Sequence, residues 1–511
     1  MDKTVSYPTA EGLSSAEPTR QRLKKPHVLL LAVVLAATPP TRPVHLEVTT
    51  SVSQAQAAFD RGLFLYYAYD GDDAQRSFAQ AAAFDPQLAM AFWGIALAQG
   101  PDLNTPVAED RFAVAAVAIR KASASARTAS PLERRFIEIM ALRYQGTFAD
   151  HTRDDAAYRH AMLAFAQTSR DENAELLAAE ALMEHGGLEW NAEAPASDET
   201  QQALRLIEGV LSDDAQNVMA NHLCIHLYDL APNRAPARPC AERLDAEAWS
   251  AEAEHLAHMP AHYWIETGNY ARALNSSERA YQLMAQLTAA DATSAHVQHY
   301  AKHDVAVGYS AAMMLGNYTQ AQRWSQRMSV AFGTNFDAIT ALRFGRYEAA
   351  YAASNDEFSA LSVRGLAALH LGRIGEAETM AARLRSDKTT DGYMPALLLA
   401  ELAEARGHEA EAEAWIDASR ANQRANFSGE LIPLIPADEA LGTIRLEHGD
   451  AGSAIEAFTA ALAAYPNDPR ALYGLARALS ASGRRAQATA SDDSFAQTWK
   501  GADTNAADAL P

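Results

Sequence analysis

The chain is poor in positive charge. Its 511 residues include 43 lysines and arginines against 64 aspartates and glutamates, which gives a formal net charge of -21 at neutral pH. A nucleic acid partner requires a basic stripe that displaces counterions from the phosphates, and the part of the sequence expected to fold contains none. An anionic membrane surface is disfavoured for the same electrostatic reason. The sequence therefore predicts no nucleic acid partner.

Long apolar runs are also scarce. Ten uninterrupted apolar residues, Val28 to Ala37, follow four basic residues between positions 20 and 25. Ten residues are too few to cross a bilayer, so no stable membrane span is predicted. A basic cluster before a short apolar core is typical of a signal peptide. We therefore predict a signal-like, disordered segment over residues 1–50 and an exported, periplasmic protein. Acids before the core and the lack of an Ala-x-Ala site leave a cytoplasmic protein as the alternative.

Cysteine is almost absent. Cys224 and Cys240 are the only two in the chain, sixteen residues apart. In an oxidising compartment a short-range disulfide between neighbouring helices is one interpretation. Two small buried apolar residues are the other. Because Cys224 lies about 200° around a helix from His222, we expect it to pack inward, away from the histidines.

Strand-like runs of valine and isoleucine are scarce as well, whereas alanine is abundant, so the fold class predicted is all-α. Residues 441–466 resemble a tetratricopeptide repeat, a helix-turn-helix unit of about 34 residues. The turn glycine of the next unit, Gly483, follows Gly449 at that interval. The same template fits near the start, at Gly62, Ala74, Phe78, Ala81 and Pro86, and in the centre, at Gly268–Ala273 and Gly316–Ala321. One continuous right-handed α-solenoid is therefore predicted over residues 51–500, with a disordered tail over 501–511.

Histidine is unusually concentrated: half of the sixteen lie between residues 222 and 303. Placed on the repeat template, His255, His258 and His262 share one face of a first helix, which in such repeats faces the concave groove. His222, His226 and Asp229 occupy the corresponding face of the repeat before it. His303 occupies the position of His255 in the repeat after it. Three adjacent repeats are thus predicted to point imidazoles into one stretch of groove.

Clustered imidazoles favour a transition-metal site. Each protonation raises the cost of the next, and a bound divalent cation removes that conflict by using the neutral rings as ligands. Nitrogen donors suit zinc, copper or iron and exclude calcium or magnesium. The first candidates are His222, His226, His258 and His262 as one four-nitrogen set, followed by His255 and His303. Asp229 and Asp304 suit the role of holding an imidazole in one tautomer.

Two alternatives stay open at this stage. Groove histidines also serve as plain hydrogen-bonding or packing residues. In addition, Pro260 lies inside the second histidine group, and a helix that begins only at Pro260 would leave His262 alone on the predicted face.

The sequence also resembles a group of bacterial tetratricopeptide-repeat proteins. The resemblance rests on a Phe-Asp-x-Gly-Leu opening, a Trp-Gly followed by Gly-Pro-x-x-Asn, and paired histidine blocks. In this chain these are Phe59–Leu63, Trp93-Gly94 with Gly100–Asn104, Asn221–Asp229, the His-x-x-His-Met-Pro-x-His block at His255–His262, and Tyr300–His303. Such relatives usually have asparagine at the position of Asp304. The resemblance implies the repeat fold and little about activity.

Common catalytic signatures are missing: the sequence has no Gly-x-Ser-x-Gly elbow, phosphate-binding glycine loop, dinucleotide fingerprint or Cys-x-x-Cys pair. His222-Leu-Cys-Ile-His226 lacks the glutamate that a zinc protease uses as general base. We therefore predict a repeat scaffold whose groove binds a peptide, a protein segment or a small molecule and holds a histidine metal site. A metal-dependent hydrolase or oxidoreductase that uses this site is the alternative.

Overall fold

The computed structural model describes residues 44–186, 188–190, 197–229, 231–353, 358–386, 392–427 and 431–505. In these ranges the chain forms α-helices joined by short turns and contains no strand element. The helices are α1 (Ser53–Tyr67), α2 (Gly71–Phe84), α3 (Ala89–Ala98), α4 (Glu109–Ser125), α5 (Pro131–Arg143), α6 (His151–Ser169), α7 (Glu172–Gly186), α8 (Asp198–Asp213), α9 (Val218–Tyr228), α10 (Arg238–Ala246), α11 (Glu254–Glu266), α12 (Tyr270–Ala290), α13 (Ala295–Met313), α14 (Tyr318–Phe332), α15 (Asp337–Arg343), α16 (Tyr347–Ala353), α17 (Phe358–His370), α18 (Ile374–Ser386), α19 (Tyr393–Ala405), α20 (Glu409–Asn426), α21 (Ala437–Glu447), α22 (Ala451–Ala464), α23 (Pro469–Ala481) and α24 (Arg485–Thr498).

The helices form a solenoid. Each packs against the next along the chain, and first helices of successive repeats also touch, as α11 touches both α9 and α13. Helical hairpins that contact mainly their neighbours are the pattern of a repeat protein. The predicted all-α solenoid is confirmed.

Glycine allows the repeats to pack closely around a buried phenylalanine. Gly62 and Gly94 lie on either side of Phe78, and a Cβ atom on them would stand only 2.7 Å and 2.3 Å from its ring. The same arrangement recurs in the C-terminal repeats, with Gly442, Phe458 and Gly474. Gly62 and Phe78 are among the residues that match the repeat template in the sequence. Any larger side chain would force the two helices apart.

The solenoid coils tightly enough for distant repeats to touch. Near its start, the side-chain amide of Asn104 donates a hydrogen bond of 3.2 Å to the hydroxyl of Tyr300. Near its end, the Tyr270 hydroxyl donates to the carbonyl of Pro466 at 2.7 Å. Helix α1 also contacts α9, and α2 contacts α13. The N-terminal repeats therefore cover the helices that carry the histidines.

Residues beyond both predicted boundaries of the solenoid make contacts with it. Residues 44–50, expected to belong to a disordered leader, pack on the first repeats, where the amide of Thr49 donates to the Glu133 carboxylate at 2.7 Å. Residues 501–505, expected to belong to a disordered tail, cap α14, where Asp503 accepts from the amide of Tyr318 at 2.6 Å. Residues 1–43, with the predicted signal core, and residues 506–511 lie outside the described ranges.

The two cysteines form a disulfide that joins α9 to α10, with their Cα atoms 6.4 Å apart. This decides between the two interpretations left open by the sequence. Cys224 packs inward, as expected, on the side of α9 away from the histidines. Within the described ranges, no helix has both the length and the apolar character needed to cross a membrane.

Candidate metal centre

Three neighbouring helices carry the candidate ligands. Helix α9 supplies His222 and His226, α11 supplies His255, His258 and His262, and α13 supplies His303. Helix α11 runs without a break from Glu254 to Glu266 with Pro260 inside it. The alternative in which a helix begins only at Pro260 is therefore wrong, and the three histidines of α11 do share one helix.

The six imidazoles meet in two groups of three, which we call site A and site B. In site A, the Nε2 atom of His222 lies 3.1 Å from that of His226 and 3.2 Å from that of His255. In site B, the Nε2 atom of His258 lies 2.9 Å from that of His262 and 3.0 Å from that of His303. The Nε2 atoms of His262 and His303 are 3.4 Å apart. Each group therefore has three nitrogens directed at one point.

This grouping differs from the single four-nitrogen set expected from the sequence. His222 and His226 converge with His255 rather than with the pair on α11, and His258 and His262 converge with His303. His255 and His262 lie seven residues apart on α11, about 10 Å along its axis, so one site cannot hold both of them. His258, between them, converges with His262 rather than with His255. All six candidates are used, but in two sites.

The two sites are adjacent. The rings of His226 and His262, one from each site, have their centroids 6.2 Å apart, and so do those of His255 and His258. One carboxylate also lies between them: an oxygen of Asp229 is 3.6 Å from Nδ1 of His226 and 3.8 Å from Nδ1 of His262. Sites A and B thus share a wall and a negative charge.

Contacts at the outer nitrogens orient several of the rings. Nδ1 of His222 lies 2.9 Å from the backbone carbonyl of Tyr67. A carbonyl can only accept, so this nitrogen carries the proton and the neutral ring has its lone pair on Nε2. Nδ1 of His258 lies 3.4 Å from a carboxylate oxygen of Asp304. Asp229 and Asp304 thus lie behind the outer nitrogens of histidines in the two groups, a position from which carboxylates fix tautomers in metal sites.

Burial keeps the rings neutral. His222, His255 and His258 have almost no exposed surface. Burial, and next the neighbouring histidines, hold the pKa of each well below its usual value. A neutral imidazole is the form that binds a metal. His303 is the most accessible of the six and is half-buried.

The enclosure of the sites differs from the open groove that was predicted. The first repeats fold over α9 and α11, and the carbonyl of Tyr67, at the end of α1, contacts His222 directly. The template places the histidines on the correct helical face. It cannot show that a tightly coiled solenoid brings its first repeat back over that face.

Sequence reasoning missed Tyr69, which covers site A. Its ring stacks on those of His226 and His255, at centroid distances of 5.8 Å and 5.4 Å. Tyr69 has a positive φ of 55° and lies immediately before the N-cap residue of α2. Gly268 has the equivalent position before α12. A left-handed conformation costs a non-glycine residue about 1 kcal/mol. A tyrosine in place of a turn glycine is a signal that the sequence does contain.

The three histidines of α13 have different surroundings. His303 joins site B, whereas His296 lies 3.3 Å from a buried carboxylate oxygen of Glu254. Burial, with a smaller effect of nearby carboxylates, raises the pKa of Glu254 to about 7 and that of Asp304 well above its usual value. His299 is exposed, and its ring packs against that of Tyr300. Neither His296 nor His299 belongs to either site.

The comparisons with known proteins identify a repeat but no function. A tetratricopeptide repeat family matches residues 445–490, which include α22 and α23. No curated protein matches the chain. Similar solved structures include the APC/C hetero-tetramer Cut9-Hcn1, at 12% identity over 78% of each chain with a TM-score of 0.35. They also include the human IFIT1 dimer with m7Gppp-AAAA, at 14% identity over 88% of this chain and 91% of that chain with a TM-score of 0.29. Yeast Tom70 matches at 10% identity over 88% and 92%, with a TM-score of 0.26. At such scores these similarities carry no argument about function.

Proposed function

We propose that this chain is a metal-binding repeat scaffold that holds two transition-metal ions side by side, one in site A and one in site B. The observation that carries the proposal is the convergence of six Nε2 atoms into two groups of three, with neighbouring nitrogens 2.9 to 3.4 Å apart. Membership of the bacterial group with the His-x-x-His-Met-Pro-x-His block is part of the same proposal, because five of the six ligands lie in its two histidine blocks.

The outer contacts of the rings support a metal rather than plain hydrogen bonding. His222 donates its Nδ1 proton to the carbonyl of Tyr67, so the lone pair on its Nε2 atom points at the Nε2 atoms of His226 and His255. Among the three Nε2 atoms of one site, a proton can be shared by only two, and the third nitrogen then has no hydrogen-bond donor. A cation at the centre accepts all three lone pairs at once.

The donor set selects the class of metal. Each site offers three imidazoles, and both cysteines are engaged in the disulfide. Zinc, copper and iron accept such nitrogen ligands, whereas calcium and magnesium require oxygen. Three protein ligands leave a coordination position for water or a substrate, which is the arrangement of catalytic metal sites. A metal-dependent hydrolase or oxidoreductase is therefore the alternative that this geometry supports.

Metal analysis tests the proposal. Protein purified without a polyhistidine tag, loaded with zinc or copper and desalted, should contain two metal ions per chain. His258→Ala combined with His262→Ala should remove one of them. The matched control is His299→Ala, which deletes an exposed imidazole of α13 outside both sites and should leave the content at two. Substoichiometric metal that is the same in the wild type and the double variant would exclude the proposal.

Binding of a peptide or protein segment is the second candidate. It rests on the repeat architecture, since solenoids present extended surfaces to partners, and on a cavity of 670 Å³ between the α11–α12 turn and the C-terminal helix. Trp264, Asn317 and Gln320 line this cavity. Selection from a displayed peptide library should enrich one sequence, and Asn317→Ala with Gln320→Ala should abolish its binding. Equal binding by this variant would place the partner elsewhere.

We also propose that the protein is exported to an oxidising compartment such as the periplasm. The Cys224–Cys240 disulfide supports this location, since such bonds are rare in a reducing cytoplasm. Cell fractionation followed by thiol alkylation tests it. We expect the protein in the periplasmic fraction with no free thiol, and a reduced protein in the cytoplasmic fraction would contradict the proposal.

A further inference from the structure

The geometry points to a joint role for the two sites: we propose that sites A and B form a dicopper centre that binds dioxygen, one molecule for each pair of copper(I) ions. This inference rests on the proposed function, because it requires both sites to hold metal. It goes further by naming the metal and the ligand and by making the pair, rather than the single site, the functional unit.

The first argument is proximity. Each site contributes a ring that faces a ring of the other, with centroids 6.2 Å apart in two separate places. The carboxylate of Asp229 approaches a histidine of both sites. Two metal ions about 4 Å apart can act on one small molecule, each stabilising part of the charge that develops on it. Two unrelated structural sites would have no reason to share a wall and a carboxylate.

The second argument is charge. The centre is buried, and uncompensated charge is costly in such surroundings. Two copper(I) ions bring two positive charges, and the carboxylate of Asp229 approaches a ring of each site. Two zinc ions would bring four charges to the same surroundings. Zinc in a structural site also takes four protein ligands, whereas each group here has three.

The third argument concerns competitors. Thiols bind copper(I) more strongly than imidazoles do and are readily oxidised. The chain has only two cysteines, and they are bonded to each other. No free thiol therefore competes with the imidazoles for copper(I), and none is available to reduce bound oxygen.

The electron balance closes without another reactant. Each copper(I) ion gives up one electron and becomes copper(II), and dioxygen accepts both electrons and is reduced to the level of peroxide. The oxygen–oxygen bond stays intact, and no proton is needed while the product bridges two cations. The half-buried ring of His303 places the accessible side of the centre at site B.

The experiment loads the full chain with copper(I) under anaerobic conditions and then adds oxygenated buffer. We expect the wild type to take up one dioxygen for every two copper ions, measured with an oxygen electrode. Most of the resulting copper(II) should give no paramagnetic resonance signal, because the spins of the bridged ions pair. The matched control His299→Ala should behave like the wild type.

Two variants separate the pair from the single sites. His303→Ala changes the most accessible ligand, so it is expected to fold, and it should retain the copper of site A. That copper should oxidise more slowly and give a full resonance signal. His222→Ala should do the same with site B occupied. If the wild type holds two copper ions but its oxygen uptake and signal match those of the variants, the dioxygen inference fails while the proposed metal binding stands. If the wild type holds no metal, both fail.

Discussion

The C-terminal repeats and the histidine-bearing helices occupy equivalent positions in the same solenoid but are packed with opposite kinds of side chain. Between α21, α22 and α23, Phe458 is enclosed by Gly442 and Gly474, and the contact is wholly apolar. Between α9, α11 and α13, imidazoles are buried with their Nε2 atoms facing one another. Apolar contacts stabilise a fold without a ligand, whereas buried polar groups cost free energy unless a partner satisfies them. The stability of the histidine layer should therefore depend on metal, and that of the C-terminal repeats should not.

Removing the metal should give the largest difference between the two regions. A ligand bound only by the native state adds about 4 kcal/mol of stability when its free concentration is about 1,000 times Kd. We expect a chelator to lower the thermal stability of metal-loaded protein. Hydrogen exchange should increase in α9, α11 and α13 and remain the same in α22 and α23. A uniform increase along the chain, or none, would contradict the comparison.

The converse change disturbs the apolar region alone. Gly474→Leu places carbon where a Cβ atom would already stand 2.2 Å from the ring of Phe458. Overpacking of this kind costs up to about 3 kcal/mol. We expect a lower denaturation midpoint with two metal ions per chain still bound to the folded fraction. Loss of metal from this variant would mean that the two regions are coupled.

The repeat template predicts most of the fold because it depends on local contacts. The glycines that flank Phe78 and Phe458 are within one repeat of the rings that they contact, so their spacing is visible in the sequence. The histidine face of α11 is equally local. For the same reason the six candidate ligands could be identified from helical spacing alone.

What the template could not give depends on contacts between distant parts of the chain. The burial of site A requires the end of α1 to reach α9, about 155 positions later in sequence, as the Tyr67–His222 contact shows. The division into two sites depends on how far each repeat is displaced along the superhelix, and small rotations accumulate over many repeats. Tyr69 was missed because turn positions were examined for glycine and not for what replaced it.

Acid should weaken the histidine layer of the metal-free protein before it affects the apolar repeats. Burial lowers the pKa of His222, His255 and His258 in the folded state, so the unfolded chain binds protons first as the pH falls. The three rings therefore cost the folded state no stability at a pH well above about 6.5, the pKa of histidine in the unfolded chain. Below that pH the free energy of unfolding decreases. When the pH falls from about 7.5 to about 6, each ring that stays neutral should lower the free energy of unfolding by roughly 0.8 kcal/mol, or by about 2.4 kcal/mol for the three rings.

Chemical denaturation at the two pH values measures this effect. A variant with all three rings changed to Phe serves as the control if it folds, and His160→Ala, which removes an exposed imidazole of α6, serves as the control in any case. His160→Ala should keep the full pH dependence. The same pH dependence in the wild type and in the variant with three Phe residues would mean that the three rings are not held neutral, because the comparison cancels the opposite contribution of raised carboxyl groups such as Glu254.

Exchanging one carboxylate at a time compares the two metal sites and should give the smallest effect. Asp229 faces a histidine of each site, whereas Asp304 faces His258 of site B. Loss of a carboxylate behind a ligand histidine lowers metal affinity by at least about tenfold, or about 1.4 kcal/mol. Asp229→Asn should therefore weaken both sites, and Asp304→Asn should weaken one. Titration with a competing chelator, with metal counted per chain, measures the affinities. Equal effects of the two changes would contradict the shared wall, because Asp229 would then serve a single site as Asp304 does.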